Sequence, residues 1–343
     1  MILDTSQSKL YSEREEWSDV TPIAQYEDVT PLAPIFYADE YRDATDYFRG
    51  IVRAGQMSPR VLELTEHIIN LNPAHYSAWQ YRYKTLISLK SPLDDELKLM
   101  DEIALRFPKT YQVWHHRRLL LTALRSSSPT SSVDNAKSEL GFIARCLDDD
   151  AKNYHTWSYR QWLLAHFNED ALWAGEMEWV EGMLRDDIRN NSAWHHRFFL
   201  VFQSGARTGD EDREAVLQRE LRYVKDAIGL APNNASAWNY LRGVLDHTNT
   251  SYDCVRIFVE PYTVARSSAD YDEVIDLDDP RPQAGAQLPC PAAIEFLADT
   301  LEQEGGEDNV KRAAAHYKSL GDEYDTIRKK YWEYRIKEVL AAA

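Results

Sequence analysis

The chain has 343 residues, of which 44% are hydrophobic, and a formal net charge of −17. Its apolar content supports a large core, while the acidic balance excludes nucleic acid and anionic membrane surfaces as general partners, since both demand a basic face. Cys146, Cys254 and Cys290 are odd in number and widely spaced, which reads as reduced thiols and not as a disulfide framework. The opening Met1-Ile2-Leu3-Asp4 turns polar at once, and no run approaches the ~20 apolar residues of a membrane span. The expectation is a cytoplasmic, acidic protein with no direct membrane anchor.

Residues 1–35 mix charge with Pro22, Pro31 and Pro34 and show no sustained period, so they read as an extended or partly ordered N-terminal arm that Trp17 and Tyr26 could pin to a surface. A short helix over Asp39–Arg53, carrying Tyr41, Tyr47 and Phe48, leads into a helical-repeat domain over 36–343. Between about 60 and 247 one motif recurs five times, around Trp79, Trp114, Trp157, Trp194 and Trp238. Successive spacings of 35, 43, 37 and 44 residues lie in the range of helical-hairpin solenoids.

The first helix of each repeat is visible upstream of its tryptophan. Counting back, position −18 is Glu96, Glu139, Glu176 or Glu220 in four repeats, and −17 is Leu62, Leu97, Leu140, Met177 or Leu221. Met100, Ile143, Val180 and Val224 follow at −14, and Ile69, Ala104, Leu147, Leu184 and Ile228 at −10, an apolar stripe with α-helical spacing that predicts core. The second helix is expected to start about six residues before the tryptophan, where Pro73, Pro108 and Pro232 suit a first helical turn, with Asn72, Asp150 and Asp187 in the N-cap register. Arg82, Arg117, Arg160 and Arg197 stand three residues after the tryptophan, on its face of the helix, placed to lie beside the ring or to reach the preceding hairpin. The predicted fold is all-α: an α–α superhelix, a crescent-shaped right-handed solenoid of antiparallel hairpins like a tetratricopeptide array.

The repeat lapses over 248–290, where Ala269–Glu273 and Asp276–Pro282 make an acidic, proline-bearing loop. Capping helices are expected over 291–340, as Pro291–Glu302 and Asn309–Leu340, with Tyr324, Ile327, Tyr331 and Ile336 closing the solenoid.

Motifs for self-contained chemistry are absent. There is no GxGxxG or Walker loop, no HExxH and no Cys/His cluster with zinc spacing. His115-His116 and His195-His196 resemble metal pairs, but neighbours on a helix point about 100° apart, so packing or a polar lining is expected and no metal site is assigned to this chain. One feature is left over. Position −5 holds Lys109, Lys152 and Arg189 in three consecutive repeats, at helix mouths that already carry roughly half a positive charge. Either these cations are simply solvated, or they mark a rim that receives an anion, with phosphate as the natural guest. Tyr76, Tyr111 and Tyr154 at −3 and Asn153 and Asn190 at −4 lie beside them.

The pattern Asn-Tyr-x-x-Trp-x-x-Arg is not the tetratricopeptide signature. Through Tyr111–Arg118, Asp150–His155, Arg189–Ser192 and Ser236–Leu241, with a lead-in at Asp46-Tyr47-Phe48-Arg49, it resembles the repeat of protein prenyltransferase α subunits. The likeness is to the α subunit shared by protein farnesyltransferase and type I geranylgeranyltransferase more than to the Rab-specific enzyme.

That resemblance implies an obligate heterodimer with a β subunit holding the catalytic zinc, magnesium dependence, farnesyl or geranylgeranyl diphosphate as donor, and CaaX-terminated proteins such as small GTPases as acceptors. It also implies roles. Lys152 matches the lysine that reaches the diphosphate, Tyr154 and Tyr111 match tyrosines lining the site, and His155 lies where the peptide's terminal carboxylate approaches. Asn153 and Asn190 are grouped with these as substrate-binding. Asn190, Arg160 and Trp194 match family positions that can be structural. Repeat four departs with Asn191 in place of the tyrosine, and repeat five with Ala235 at −3 and Leu241 at +3, so the site is expected in repeats two to four. Two other readings stay open: a Rab-type α subunit, and a noncatalytic helical-repeat adaptor binding peptides along a concave face.

Overall fold

A computed structural model describes residues 9–127, 132–204, 212–265, 278–283 and 285–341. These residues hold helices and no strand, and the expected all-α repeat of hairpins is the fold. The chain divides into two compact units, Met1–Trp173 and Ala174–Ala343.

In the first unit α1 (Asp39–Ala54) precedes three hairpins: α2 (Pro59–Leu71) with α3 (Tyr76–Leu89), α4 (Leu93–Arg106) with α5 (Tyr111–Ser127), and α6 (Ser132–Asp149) with α7 (Tyr154–Phe167). A single turn, α8 (Asp170–Trp173), closes it. The described part of the arm is fixed onto this frame. Trp17 is 2% exposed, Tyr11 packs edge-on to it at 4.9 Å, and Ile23 exchanges backbone and side-chain hydrogen bonds with Asp46 and Arg49 of α1. A side chain at Gly50 would collide with the Thr21 carbonyl, so this glycine permits the close approach of arm to helix.

The second unit holds α9 (Glu176–Asp186) with α10 (Asn191–Phe198), α11 (Arg213–Leu230) with α12 (Ala235–Thr248), a turn α13 (Arg256–Val259), and α14 (Pro291–Glu304), α15 (Glu307–Ser319) and α16 (Lys329–Ala341). The expected long terminal helix is therefore two helices. The chain breaks between Leu320 and Arg328, where Gly321 packs against Trp332 and Asp325 accepts the Trp332 indole N–H at 3.0 Å. The stripe expected to close the array is displaced as well: Ile327 is 97% exposed, while Tyr317, Leu320, Trp332 and Val339 are buried. Most of the acidic loop, 269–277, lies outside the described residues. Of its remainder, Asp279 pairs with Lys225 and the Pro280 carbonyl accepts the Tyr262 hydroxyl.

The second helices begin three residues before the tryptophan, not six. Asn72, Asp150 and Asp187 fold the connecting turn, each accepting an N–H two residues ahead, and the true caps are His75, Asn153, Asn190 and Asn234 at −4. The residue at −6 has a different task. In all five repeats its carbonyl accepts the tryptophan indole N–H, at 2.8, 2.8, 2.9, 2.8 and 2.7 Å. Each tryptophan thus ties the turn to the helix that follows while its ring is buried.

Arg82, Arg117 and Arg197 each hold the first helix of their own repeat, through the Leu62 carbonyl, Asp101 and Glu181, and also reach forward. Arg82 places Nε and Nη2 each 2.7 Å from Glu96 of the next hairpin, Arg117 meets Glu139 in the same way, and Arg197 meets Glu220 at 2.7 and 3.1 Å. Their guanidiniums are 1–3% exposed and the carboxylates 0–5%. The second helix of the glutamate's own repeat adds a further donor: His116 Nε2 at 2.9 Å from Glu96, the Tyr159 hydroxyl at 2.6 Å from Glu139, the Tyr240 hydroxyl at 2.7 Å from Glu220. These same rings pack on the preceding tryptophan, His116 on Trp79, Tyr159 on Trp114 and Tyr240 on Trp194, at 5.0–5.2 Å. The −18 glutamate, read from the pattern as core, is the acceptor that joins repeats. In the first repeat Val61 fills the position, fully buried.

Two outcomes follow from this arrangement. Arg117→Met strands the buried Glu139 carboxylate and is expected to lower the unfolding free energy by about 3–5 kcal/mol, whereas Arg117→Met combined with Glu139→Leu recovers most of the loss. Denaturant titration of the two variants checks this. Burial alone would raise the Glu96 pKa, but hydrogen bonds from His116 and Arg82 override it and hold the carboxyl at about 2, against 4.5 when free. The stabilisation, about 3 kcal/mol, is complete above pH 4.5 and is lost as pH falls towards 2. Glu96→Gln should flatten the dependence of stability on pH across that window, and an unchanged slope would contradict it.

Candidate functional site at the mouth of the third repeat

The geometry of Lys152 is set by its neighbours along the chain. After α6 ends, the Asp150 carbonyl accepts the Asn153 N–H at 3.0 Å and its carboxylate lies 3.4 Å from the Lys152 N–H. Asn153 then takes an extended conformation, and its Oδ1 accepts from His155 N and Thr156 N at 3.0 and 3.1 Å. Its Nδ2 faces the Pro108 carbonyl of the second repeat and the Asp150 carboxylate, each at 3.5 Å. Tyr154 opens α7, and Lys152 is exposed just ahead of it.

Around this mouth the first unit brings Lys152, Asn153, Tyr154, His155 and Tyr111 together. Tyr111 and Tyr154, each the first residue of a helix, are 68% and 70% exposed. The half-buried His155 ring stands perpendicular to Tyr111 at 4.3 Å and beside Tyr154 at 5.7 Å. Burial lowers the His155 pKa, which favours the neutral ring. Lys109, the matching cation of the second repeat, lies 3.6 Å from the Asp150 carboxylate on the surface. Asp150, expected in the N-cap register, instead organises the turn. The signal for it was an aspartate at −7 in two successive repeats, Asp150 and Asp187.

The anion-binding expectation changes in one respect. Asn153 already occupies the amides of His155 and Thr156, so those N–H groups are not open to an anion at this mouth. In the second unit Asn190 caps α10 through Ser192 N and Ala193 N and is buried, Arg189 is exposed, and Asn191 is exposed where earlier repeats have tyrosine. Trp79, Trp114, Trp157, Trp194, Trp238, Arg117, Arg160 and Arg197 are all buried. Adjacent second helices also leave open grooves, one of about 510 Å³ between α3 and α5 lined by Tyr76, Trp79, Tyr111 and His115.

The histidine pairs are split by the helix. His116 and His196 are buried against Glu96 and Glu176, while His115 and His195 are exposed. Among the described residues no group of three or more His, Cys, Asp or Glu side chains could hold a metal ion, and no helix is long and apolar enough to cross a membrane. The three cysteines are free thiols, Cys146 and Cys290 buried and Cys254 exposed.

Comparison with known proteins agrees with this repeat. The family described as "Protein prenyltransferase alpha subunit repeat" matches residues 58–89, 93–124, 136–167, 173–204 and 217–248. The chain is similar to the protein farnesyltransferase/geranylgeranyltransferase type-1 subunit alpha of Dictyostelium discoideum, 30% identical over 329 residues that span 96% of this chain and 94% of the relative. Its likeness to the mouse geranylgeranyl transferase type-2 subunit alpha, 34% identical, spans 60% of this chain but 37% of that protein. Among solved structures, a chain of Candida albicans protein geranylgeranyltransferase-I complexed with GGPP superposes with a TM-score of 0.75 at 29% identity, covering 98% of this chain and 100% of that one. With full-length likeness to the type-1 subunits, and a Trp–Arg–Glu framework repeated through it, the chain belongs to the family of α subunits shared by protein farnesyltransferase and type I geranylgeranyltransferase.

Proposed function

We propose that this chain works as half of a cytoplasmic protein prenyltransferase, its site completed by a β subunit. The reaction moves a farnesyl group, or with another β subunit a geranylgeranyl group, from its diphosphate to the cysteine thiol of a C-terminal CaaX sequence. The observation that supports this reading best is the open cluster at the mouth of α7. Two tyrosines some 70% exposed and a lysine flank one half-buried histidine. Such a cluster suits a surface that a second subunit and its substrate cover.

Within that reading Lys152 is the catalytic residue of this chain. As the isoprenoid carbon leaves oxygen for sulfur, negative charge gathers on the departing diphosphate. An ammonium already aimed there stabilises the transition state more than the ground state. Tyr111, Tyr154 and His155 supply walls: aromatic faces for the isoprenoid–peptide pair, and a neutral imidazole able to donate one hydrogen bond to a carboxylate. Zinc, when bound, activates the thiol as thiolate. By its likeness to the family, the reading assigns zinc to the β subunit. Magnesium is expected from the diphosphate chemistry and is given no ligand in this chain.

Lys152→Ala in the heterodimer is expected to lower the single-turnover transfer rate by about 10²- to 10³-fold while isoprenoid diphosphate affinity changes by less than about threefold. Weaker binding with unchanged chemistry would overturn the leaving-group role. Expressed alone, the chain is expected to aggregate and to show no transfer. Co-expression with a β subunit should give a soluble complex whose transfer depends on zinc, and activity from a purified monomer would count against the proposal.

A further inference from the structure

The sequence pattern groups Asn153 with the substrate contacts, yet its surroundings give it another task. We infer that Asn153 is a positioning residue that holds Lys152 in place and never touches substrate. This rests on the role proposed for Lys152. Asn153 is 4% exposed, so a bound diphosphate cannot reach it. Its Oδ1 is committed to two amides of α7, and its Nδ2 faces the Pro108 carbonyl. That carbonyl is itself anchored, accepting the Trp114 indole N–H at 2.8 Å. The peptide carrying Lys152 is therefore tied forward to its own helix and sideways to the turn of the second repeat.

The fifth repeat uses the same device without a site. Asn234 is 2% exposed, caps α12 through Ser236 N, and donates from Nδ2 to the Ile188 carbonyl at 2.7 Å. Ile188 O likewise accepts the Trp194 indole N–H. Ala235 replaces the tyrosine and Leu241 the arginine there, so the asparagine serves architecture alone. In the third repeat the same joint sets the direction of an ammonium next to it, and a displacement near 1 Å at a reacting centre can cost about 100-fold in rate.

The test uses the co-expressed heterodimer and single-turnover kinetics. Asn153→Ala is expected to slow transfer about 10- to 100-fold with isoprenoid diphosphate Kd and peptide KM within about threefold. Asn234→Ala should lower thermal stability to a similar degree and leave the rate within about twofold. On a Lys152→Ala background, Asn153→Ala should add no further loss, because its effect passes through the lysine. Asn153→Ser keeps a capping oxygen and loses the amide donor, so it preserves this ordering if the alanine variant folds poorly. A normal rate in Asn153→Ala or Asn153→Ser, where Lys152→Ala is slow, overturns the positioning role alone. Weakened substrate binding or an additive loss in the double variant would instead make Asn153 a direct contact. A normal rate in Lys152→Ala overturns both readings.

Discussion

Each described joint between hairpins turns on a buried carboxylate that no single repeat can satisfy. Glu96, Glu139 and Glu220 lie at 0–5% exposure, and each takes a two-pronged guanidinium from the repeat before and a hydroxyl or imidazole donor from its own. An ion pair so far from water contributes little net stability over an apolar pair of the same size, but leaving either half alone is costly. Such a joint therefore selects register. The glutamate fits where an arginine precedes it, which orders the hairpins and fixes the height of each second helix. At the start of the series Val61 replaces the glutamate, and at its end Leu241 replaces the arginine while Arg242 beside it pairs with Asp299 of α14.

Once the second helices are held, their mouths are fixed by local chemistry. The tryptophan indole holds the −6 carbonyl and the −4 asparagine caps the helix. In repeats three and five the asparagine also faces the carbonyl that the previous tryptophan holds. The residue between, at −5, varies from repeat to repeat, as Lys109, Lys152, Arg189 and Asn233. A uniform scaffold can thus carry a candidate site in one place: the third repeat, with Lys152, Tyr154 and His155, differs from the fifth at a few outward positions while the inward ones are kept.

The tryptophan register was legible because tryptophan is rare and its spacing regular, and the buried −14 and −10 positions followed from helical periodicity. The helix starts were misplaced by three residues because a proline at −6 resembles a first-turn proline, whereas its carbonyl is what the fold uses. The Arg–Glu joints were half legible. Both residues stood out, but periodicity pairs side chains within a helix and says nothing of the next hairpin. The one pattern that hints at the pairing is that the glutamate is missing from repeat one and the arginine from repeat five. At the site, the cation ladder was visible in Lys109, Lys152 and Arg189, but the likeness to a family singled out Lys152. The separate task of Asn153 needed its burial and its partners.

On the proposed reading the chain holds half of a site, and another subunit finishes it. The most direct measurement is the mass and composition of the complex that the tagged chain forms when purified from its own cells under native conditions. A one-to-one complex with a prenyltransferase β subunit, containing zinc, is the predicted result. A stable monomer, or a stoichiometric complex with a protein of another kind and no prenyl transfer, would contradict it.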